Sequence, residues 1–335
     1  MKAIVFENFG EPREVLQVRD APMPADPVAG EVRVRMKMAP INPSDLMTVR
    51  GAYGRLPTLP ATPGFEGVGI IDAVGPGWLA KLRGLKPGRR VAVINGRGGN
   101  WAEYVVIPAR TAVPIADDLP DEQVAAFFVN PATALVMTQR VLHVTRGGWL
   151  LQTGAGSALG RMVIKLGKHF GFRTINIVRR KDLVDELKQL GADEVLIATE
   201  EKIPARVAEI TRGAMAPYAL DCVGGPGVVE VIESLAPQGR LLVYGTLSGE
   251  PVPLDTRSLM GGQRAIEGFW LSEWVKAQGV LRMLGLFHQI TSLVRAGVLT
   301  TPVAATYGFD QLPQAIEHVE RQARGGKILL KLDGV

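Results

Sequence analysis

A glycine-rich stretch at residues 152–160, QTGAGSALG, has the composition of a turn that binds a phosphate group. Such turns follow the first strand of a parallel sheet and open a helix, so that backbone N–H groups and the helix N-terminus face the anion. Here the turn follows the apolar run WLLQT, and apolar residues then recur on one helical face from Leu159 to Phe170. This context predicts a dinucleotide-binding turn, for which the glycines allow two registers.

The two registers differ in the residue that lies at the helix–strand contact. Counting G-x-G-x-x-G from Gly154 puts Leu159 at the third position, where close packing requires a very small residue. Counting back from Gly160 puts Ala155, Ser157 and Gly160 at the three positions, and Ala158 adds room. We expect the second register, although a simple tight turn is the alternative. Its predicted nucleotide contacts are Ala155, Ser157, Ala158, Leu159 and Gly160.

The next strand carries the residues that distinguish the two nicotinamide dinucleotides. An NAD site normally has Asp or Glu about 20 residues after the glycines, where it binds the ribose 2′-OH. Here TINIV ends in Arg179 and Arg180, and no acid occurs before Asp182. Guanidinium groups bind a 2′-phosphate through paired planar donors, whereas a carboxylate repels it. The pair favours NADPH over NADH; the alternative is a solvated basic pair at a strand end.

The chain has few cysteine and histidine residues that could bind a metal ion. A single cysteine, Cys222, excludes an internal disulfide and any multi-thiolate metal site. The histidines are scattered, and three of them lie in sequence that reads as helix. They are His143, His169, His288 and His318. We therefore expect chemistry that uses no metal.

The elements that must position these residues follow a regular alternation from residue 148 onward. Short apolar runs of strand length are each followed by a helical pattern: WLLQT, TINIV, EVLIA, YALDCV, RLLVYG and AIEGFWL. This alternation predicts an α/β, doubly wound domain with a six-stranded parallel sheet. A long helical stretch is expected near residues 276–297.

The remaining sequence predicts a second, mostly β domain. Residues before about 122 are rich in Gly, Pro and short β-prone runs, and VRVRMKM at 32–38 alternates like a half-buried strand. We expect the final strand, within GKILLKL, to return to this domain. The predicted division is therefore 1–122 with 298–335 for the β domain and 123–297 for the nucleotide-binding domain.

Charge and hydropathy patterns exclude several classes of partner. The 38 basic and 33 acidic residues are interspersed, without the basic block expected of a nucleic-acid-binding protein. The longest uncharged apolar stretch, 123–139, is interrupted by Asn130-Pro131 and is too short for a bilayer span. The first residues lack an export signal, and one cysteine fits a reducing compartment. We expect a cytoplasmic protein without nucleic-acid or membrane partners.

Several motifs in order along the chain point to one family. They are MKAIVFENFGEP at the start, INPSD at 41–45, PGFEGVG at 63–69, LKPGRRV at 85–91 and GKILLK near the end. Through them the chain resembles, nearly end to end, the medium-chain dehydrogenase/reductase superfamily in its zinc-free branch. Phe65 stands where zinc alcohol dehydrogenases carry a metal-ligand histidine. The resemblance implies a Rossmann domain and a GroES-like catalytic domain.

Three longer stretches narrow the resemblance: INPSDLMTVRGAYGRLP at 41–57, VNPATAL at 129–135 and GFWLSEW at 268–274. They are similar to mitochondrial-type trans-2-enoyl thioester reductases, which reduce enoyl-CoA or enoyl-ACP with NADPH. The resemblance implies that Tyr53 is catalytic and that a basic residue within RRKD holds the NADPH phosphate. The further predicted cofactor contacts are Thr133, Gly245, Phe269, Trp270, Leu271 and Lys327.

The implied reaction assigns a role to each polar residue. Reduction of a 2-enoyl thioester places negative charge on the thioester oxygen, and a phenol such as Tyr53 can donate a hydrogen bond there. Asn42 is expected to orient the nicotinamide or the substrate as an amide donor. Without the resemblance, Tyr53 is equally well explained by packing against an apolar face, and the alternative for Asn42 is a plain Asn-Pro turn.

The leading hypothesis is an NADPH-dependent enoyl thioester reductase. We expect a homodimer that pairs through the AIEGFWL edge strand. One alternative is an NADPH:quinone oxidoreductase of the same fold. Another is a nonenzymatic NADPH-binding protein, since fold alone does not prove function.

Overall fold

The computed structural model describes residues 1–321 and 325–333. The chain divides into two compact units, each described here by itself. The first comprises Met1–Val129 and Thr300–Val335, and the second comprises Asn130–Leu299. The sequence-based boundaries lay at residues 122 and 298.

The amino-terminal part of the first unit consists of short strands and helices. Its elements are β1 (Lys2–Val5), α1 (Pro12–Val15), β2 (Gln17–Asp20), β3 (Glu31–Pro40), α2 (Pro43–Val49), β4 (Glu66–Val74), α3 (Trp78–Leu82), β5 (Arg90–Ile94), β6 (Tyr104–Pro108), β7 (Ala112–Pro114) and α4 (Asp121–Ala125).

The second unit alternates strands and helices. Its elements are α5 (Val129–Val136), β8 (Trp149–Gln152), α6 (Ala158–Phe170), β9 (Arg173–Val178), α7 (Val184–Leu190), β10 (Glu194–Ile197), α8 (Ile203–Ile210), β11 (Ala216–Asp221), α9 (Val228–Glu233), β12 (Leu235–Val243), α10 (Arg257–Met260), β13 (Ala265–Gly268), α11 (Leu271–Lys276) and α12 (Val280–Arg295).

The chain then returns to the first unit through β14 (Val303–Tyr307), α13 (Leu312–Glu320) and β15 (Lys327–Lys331). Short 3₁₀ helices occupy Ala109–Thr111, Lys181–Leu183 and Phe309–Gln311, and a π-helical turn spans Met137–Val141. These short pieces connect the longer elements.

A mixed seven-stranded sheet organises the first unit. Its order is β14-β15-β3-β4-β5-β7, and β6 also pairs with β3. The predicted alternation of β3 is confirmed, because Val32, Val34 and Met36 are buried whereas Arg33 and Arg35 are not. The predicted return of the last strand is also confirmed, since β15 pairs antiparallel with β3. The separate pair β1-β2 completes a mostly β unit.

The second unit is the predicted doubly wound domain. Its six strands are all parallel and lie in the order β10-β9-β8-β11-β12-β13. The order reverses between β8 and β11, and ligands of such sheets bind outside the carboxyl ends of strands at this point. The helical run DLVDELKQL predicts a helix that stops at the following Gly191, and this is confirmed, since Gly191 is the C-cap of α7 with a left-handed φ of 108°.

The long helical stretch expected near residues 276–297 is confirmed as α12, which begins after its N-cap Gly279. One local prediction in the second unit is wrong in extent. AIEGFWL is a strand only as far as Gly268, because Leu271 begins α11, in which the Trp274 N–H donates to the Trp270 carbonyl. Apolar runs alone do not distinguish a strand end from a helix start.

No helix within residues 1–321 and 325–333 is both long and apolar enough to cross a bilayer.

Candidate active site

The turn predicted to bind the dinucleotide joins β8 to α6. Ser157 is the N-cap of α6, and its Oγ accepts a hydrogen bond from the Gly160 N–H at 3.0 Å. A Cβ at Gly160 would lie 2.6 Å from the Ala155 Cα and carbonyl oxygen. Close helix–strand packing therefore requires glycine at residue 160, which is what the register of Ala155, Ser157 and Gly160 predicts.

Gly154 serves the same turn in another way. Its φ of +59° is left-handed, and a Cβ there would lie 2.5 Å from the Cys222 Sγ. Gly245, after β12, also passes close to this strand end, since a Cβ would lie 2.8 Å from the Cys222 carbonyl oxygen. The glycines thus keep the carboxyl ends of β8, β11 and β12 close together and free of side chains.

Most of the predicted nucleotide contacts in this unit follow the carboxyl ends of its parallel strands. Residues 153–157 follow β8, Arg179 and Arg180 follow β9, Gly245 follows β12 and Phe269 follows β13. Phe269 is held there by its N–H, which donates to the Val243 carbonyl at 2.8 Å. Thr133 is elsewhere, buried in α5. These residues form a glycine-lined edge with the 13-residue helix α6 starting at it, and this arrangement fits a pyrophosphate.

The two arginines after β9 differ in their surroundings. Arg179 is exposed, whereas Arg180 forms a bidentate ion pair with Asp182. That carboxylate holds the pKa of the Arg180 guanidinium above its usual range, and the guanidinium lowers the pKa of Asp182. The first acid after the strand is therefore neutralised by its neighbour.

Sequence reasoning missed Arg161 in the first turn of α6. Its Nε donates to the Gly156 carbonyl at 3.0 Å, and its guanidinium pairs with Glu186 of α7. Arg161 therefore ties the glycine turn to the next helix. Its position in the sequence could have indicated this role. Arg161 follows Gly160, the last residue of the glycine turn, and a cation there is close to a phosphate-binding turn.

The first unit contains a buried network of charged residues around Asn42. Asn42 precedes α2, and only 1% of it is exposed. Its Nδ2 donates to the Glu66 Oε1 at 3.0 Å, and its Oδ1 accepts a hydrogen bond from the Lys327 Nζ. The carboxamide is thereby fixed in one orientation, with its oxygen toward the ammonium group and its nitrogen toward the carboxylate.

Glu66 and Asp45, both missed by sequence reasoning, supply the acids of this network. The Glu66 Oε2 accepts the N–H groups of Phe128 and Val129 at 2.9 and 2.8 Å. The Asp45 carboxylate accepts the N–H of Asn42 at 2.7 Å and the N–H of Phe65 at 3.2 Å. Asp45 belongs to the INPSD motif and Glu66 to the PGFEGVG motif, and both motifs carry the family resemblance. Glu66 is also an acid at the start of a strand whose next residues are glycine or apolar.

Burial dominates the electrostatics of the network. It raises the pKa of Asp45 to about 7, against the opposing hydrogen bond from the Asn42 N–H, and the nearby Glu66 carboxylate raises it further. Burial also raises the pKa of Glu66, against the opposing charge of Lys327. One ammonium group thus lowers the pKa of two carboxyls, and a proton on Asp45 leaves one positive and one negative charge in the network.

Tyr53 lies in the loop after α2 and is half-buried. Gly51 ends the helix in the left-handed region, with φ of +73°. The Tyr53 ring packs against Phe65, with ring centroids 5.5 Å apart. Tyr53, which is predicted to be catalytic, therefore packs against Phe65. Phe65 occupies the position at which zinc alcohol dehydrogenases have a metal-ligand histidine.

The structure brings some predicted residues together and separates others. Asn42 and Lys327 are in contact in the first unit, where Lys327 is 3% exposed. The nucleotide role of Lys327 and the donor role of Asn42 stay predictions. Within the residues that the structure covers, no group of three or more His, Cys, Asp or Glu could hold a metal ion.

Comparison with known proteins agrees with this architecture. Residues 28–117 match the alcohol dehydrogenase GroES-like domain family, and residues 158–285 match the zinc-binding dehydrogenase family. The chain belongs to the medium-chain dehydrogenase/reductase superfamily. It is an oxidoreductase whose Rossmann unit binds a nicotinamide cofactor.

Three individual proteins illustrate which members of the superfamily this chain is similar to. The chain is 35% identical over 322 residues to the mitochondrial enoyl-[acyl-carrier-protein] reductase of Rattus norvegicus, covering 95% of this chain and 85% of that protein. Among solved structures, a candidate NADPH:quinone reductase of Bacillus thuringiensis is 34% identical with a TM-score of 0.91, covering 98% of both chains. Escherichia coli quinone oxidoreductase, complexed with NADPH, is 25% identical with a TM-score of 0.88, covering 99% of this chain and 100% of that one.

Proposed function

We propose that this protein reduces the C2=C3 double bond of 2-enoyl thioesters with NADPH. The observation that carries the proposal is Tyr53, a half-buried phenol on Phe65 in the loop whose sequence resembles the enoyl thioester reductases. The similarity to the rat enoyl-[acyl-carrier-protein] reductase extends over 95% of the chain and supports the same substrate class.

The proposed chemistry needs little from the protein besides positioning and polarisation. When bound, NADPH supplies two electrons and one hydrogen to C3 of the substrate, and a proton added at C2 completes the saturated thioester. The Tyr53 hydroxyl donates a hydrogen bond to the thioester oxygen as it gains negative charge. The Asn42–Glu66–Lys327 network holds the start of α2, and with it the approach to the Tyr53 loop, in one conformation.

The test of this proposal is turnover of crotonyl-CoA with NADPH. We expect Tyr53→Phe to lower kcat about 10- to 100-fold while the KM for NADPH stays unchanged, because only the transition-state hydrogen bond is removed. Tyr104→Phe, in β6 of the same unit, is the matched control and should leave kcat unchanged. Full activity of Tyr53→Phe would exclude the phenol as the polarising group.

A quinone oxidoreductase activity is the second proposal, favoured by the solved structures of such proteins at high TM-score. Initial rates with 1,4-benzoquinone and with crotonyl-CoA under the same conditions separate the two. Rapid quinone reduction without thioester turnover would replace the first proposal by the second.

We further propose that the cofactor is NADPH rather than NADH. The basis is the pair Arg179 and Arg180 after β9, with Asp182 already neutralised by Arg180. Replacing both arginines with Ala should raise the KM for NADPH about tenfold more than the KM for NADH, since only NADPH carries the 2′-phosphate. Lys188→Ala, an exposed cation of α7, is the control. Equal effects on both cofactors would contradict the assignment.

We also propose a homodimer paired through β13, which is an edge strand of the six-stranded sheet. Trp270, Val280 and Leu281, which follow this strand, are exposed apolar residues. Light scattering that gives the mass of one chain at micromolar concentration would reject the dimer.

A further inference from the structure

A cavity of about 320 Å³ lies within the first unit. Three loop segments surround it, residues 55–58, 62–65 and 96–98, and Asp45 and Thr48 of α2 contribute to its wall. The volume is at the lower end of the range of small-molecule sites.

The cavity carries positive charge that no carboxylate neutralises. Arg55 and Arg97 line it, both are exposed, and neither guanidinium is hydrogen-bonded or ion-paired to any residue that the structure describes. By contrast, Arg33 and Arg90 of the same unit are each paired with aspartate. Two unpaired guanidinium groups at one cavity can bind an anion, because each presents a planar set of donors.

The one carboxyl in the cavity wall does not cancel this charge. Asp45 is fully buried, and its two oxygens already accept the N–H groups of Asn42 and Phe65. The remaining wall is rich in small and hydroxyl-bearing residues, including Thr58, Thr62 and Gly64. Such a wall offers further donors to an anion and room for a slender ligand.

The cavity and the predicted reaction centre have Phe65 in common. This residue lines the cavity, and its ring packs on Tyr53. A ligand with its reactive carbonyl at Tyr53 can therefore extend along Phe65 into the cavity. A thioester of phosphorylated pantetheine has this form, since a slender arm separates its carbonyl from its phosphate.

We propose that this cavity binds the phosphate-bearing part of a pantetheine thioester, with Arg55 and Arg97 as the phosphate ligands. The inference rests on the proposed thioester reductase function and specifies the recognition of its substrate. The same chemistry occurs in coenzyme A and in the prosthetic group of an acyl carrier protein. Recognition of the phosphate places the acyl group without requiring contacts to the acyl chain.

Three substrates test the proposal: crotonyl-CoA, crotonyl-4′-phosphopantetheine and crotonyl-pantetheine, which has no phosphate. In the variant Arg55→Gln/Arg97→Gln we expect the KM for crotonyl-CoA to rise about tenfold with kcat unchanged, because ground-state binding is lost. The KM for crotonyl-pantetheine should not change. Added salt should raise the wild-type KM for crotonyl-CoA and have less effect on the variant.

The control is Arg89→Gln/Arg110→Gln, which removes two exposed arginines of the same unit outside the cavity. It should behave as the wild type. A KM increase for crotonyl-CoA and crotonyl-phosphopantetheine together supports recognition of the pantetheine phosphate. An increase for crotonyl-CoA alone would assign the two arginines to the nucleotide phosphates of coenzyme A and would overturn the proposal.

Two further results would overturn the proposal: an equal KM increase for crotonyl-pantetheine, or an increase confined to the KM for NADPH. If the wild type reduces none of the thioesters, the proposed function itself fails. Calorimetric titration with coenzyme A then tests, independently of turnover, whether the cavity binds a phosphate-bearing ligand. Binding weakened about tenfold in Arg55→Gln/Arg97→Gln supports it, and wild-type affinity in that variant, or no binding to the wild type, rejects it.

Discussion

The two units build their sites by different means. In the Rossmann unit, the turn at 153–160 is made by consecutive residues, and its shape depends on the absence of side chains at Gly154 and Gly160. In the GroES-like unit, the network depends on charged side chains that are far apart in sequence, since Asn42 and Lys327 are separated by 285 positions. A backbone site can be recognised from local spacing, whereas a side-chain network requires the fold.

The difference also predicts how each site fails. The glycine turn is destabilised by added side-chain atoms, because its backbone segments are already in van der Waals contact. A buried ion network is damaged by removing one partner, because an uncompensated charge remains away from water. Variants of both kinds, compared by the free energy of unfolding, test this contrast.

The largest effect is expected for Lys327→Met, which keeps the length of the side chain and removes its charge. Glu66 would remain buried with its hydrogen-bond donors but without the opposing charge of Lys327, and we expect a loss of about 3 kcal/mol in the free energy of unfolding, measured by urea denaturation. Adding Glu66→Gln to this variant should recover part of the loss.

Lys331→Met provides the control for this variant, because Lys331 is exposed on the same strand β15. It should change stability by less than about 0.5 kcal/mol. A Lys327→Met protein as stable as the control would show that the ammonium does not stabilise the network.

The next largest effect is expected for Gly160→Ala in the turn. The new Cβ would lie 2.6 Å from the Ala155 backbone, so helix α6 must move away from the strand end. We expect a loss of about 2 kcal/mol in the free energy of unfolding and at least about tenfold weaker NADPH binding, measured by fluorescence titration.

Gly285→Ala is the matched substitution in open space, since nothing lies within 4 Å of its Cβ position in helix α12. It should stabilise the protein by about 0.5–1 kcal/mol because alanine loses less conformational freedom on folding. Unchanged NADPH affinity in Gly160→Ala would contradict the register of the turn.

The smallest effect per pH unit is a pH dependence of the free energy of unfolding that belongs to the first unit. The folded pKa of Asp45, about 7, lies above its ordinary value of 3.8, so the folded state binds a proton that the unfolded state releases. Between pH 5 and 7 the free energy of unfolding should therefore fall by about 1.4 kcal/mol per pH unit from this group. Glu66 contributes with the same sign.

Asp45→Asn should remove most of this slope, whereas Asp310→Asn, at an exposed position, should keep it. Thermal denaturation across pH 5–8 provides the measurement. A wild-type curve that rises with pH over this interval would show that Asp45 is ionised throughout.

Prediction from sequence succeeded where structure depends on neighbours along the chain. The six parallel strands, the helix stop at Gly191 and the small residue at 160 follow from periodicity and spacing. It failed at the end of β13, where an apolar run passes from strand to helix. It also missed Arg161, whose importance depends on the distant partner Glu186.

Local sequence was thus sufficient for the alternating strands and helices and for the steric requirements of one turn, because these arise from backbone geometry over a few residues. Only the assembled fold decided which charges are buried together and which arginines remain unpaired. Glu66, Asp45 and Lys327 acquire their electrostatic character from burial, and Arg55 and Arg97 meet at one cavity through loops more than 30 residues apart. The reason is that desolvation and pairing depend on distances in space, which a linear pattern does not contain.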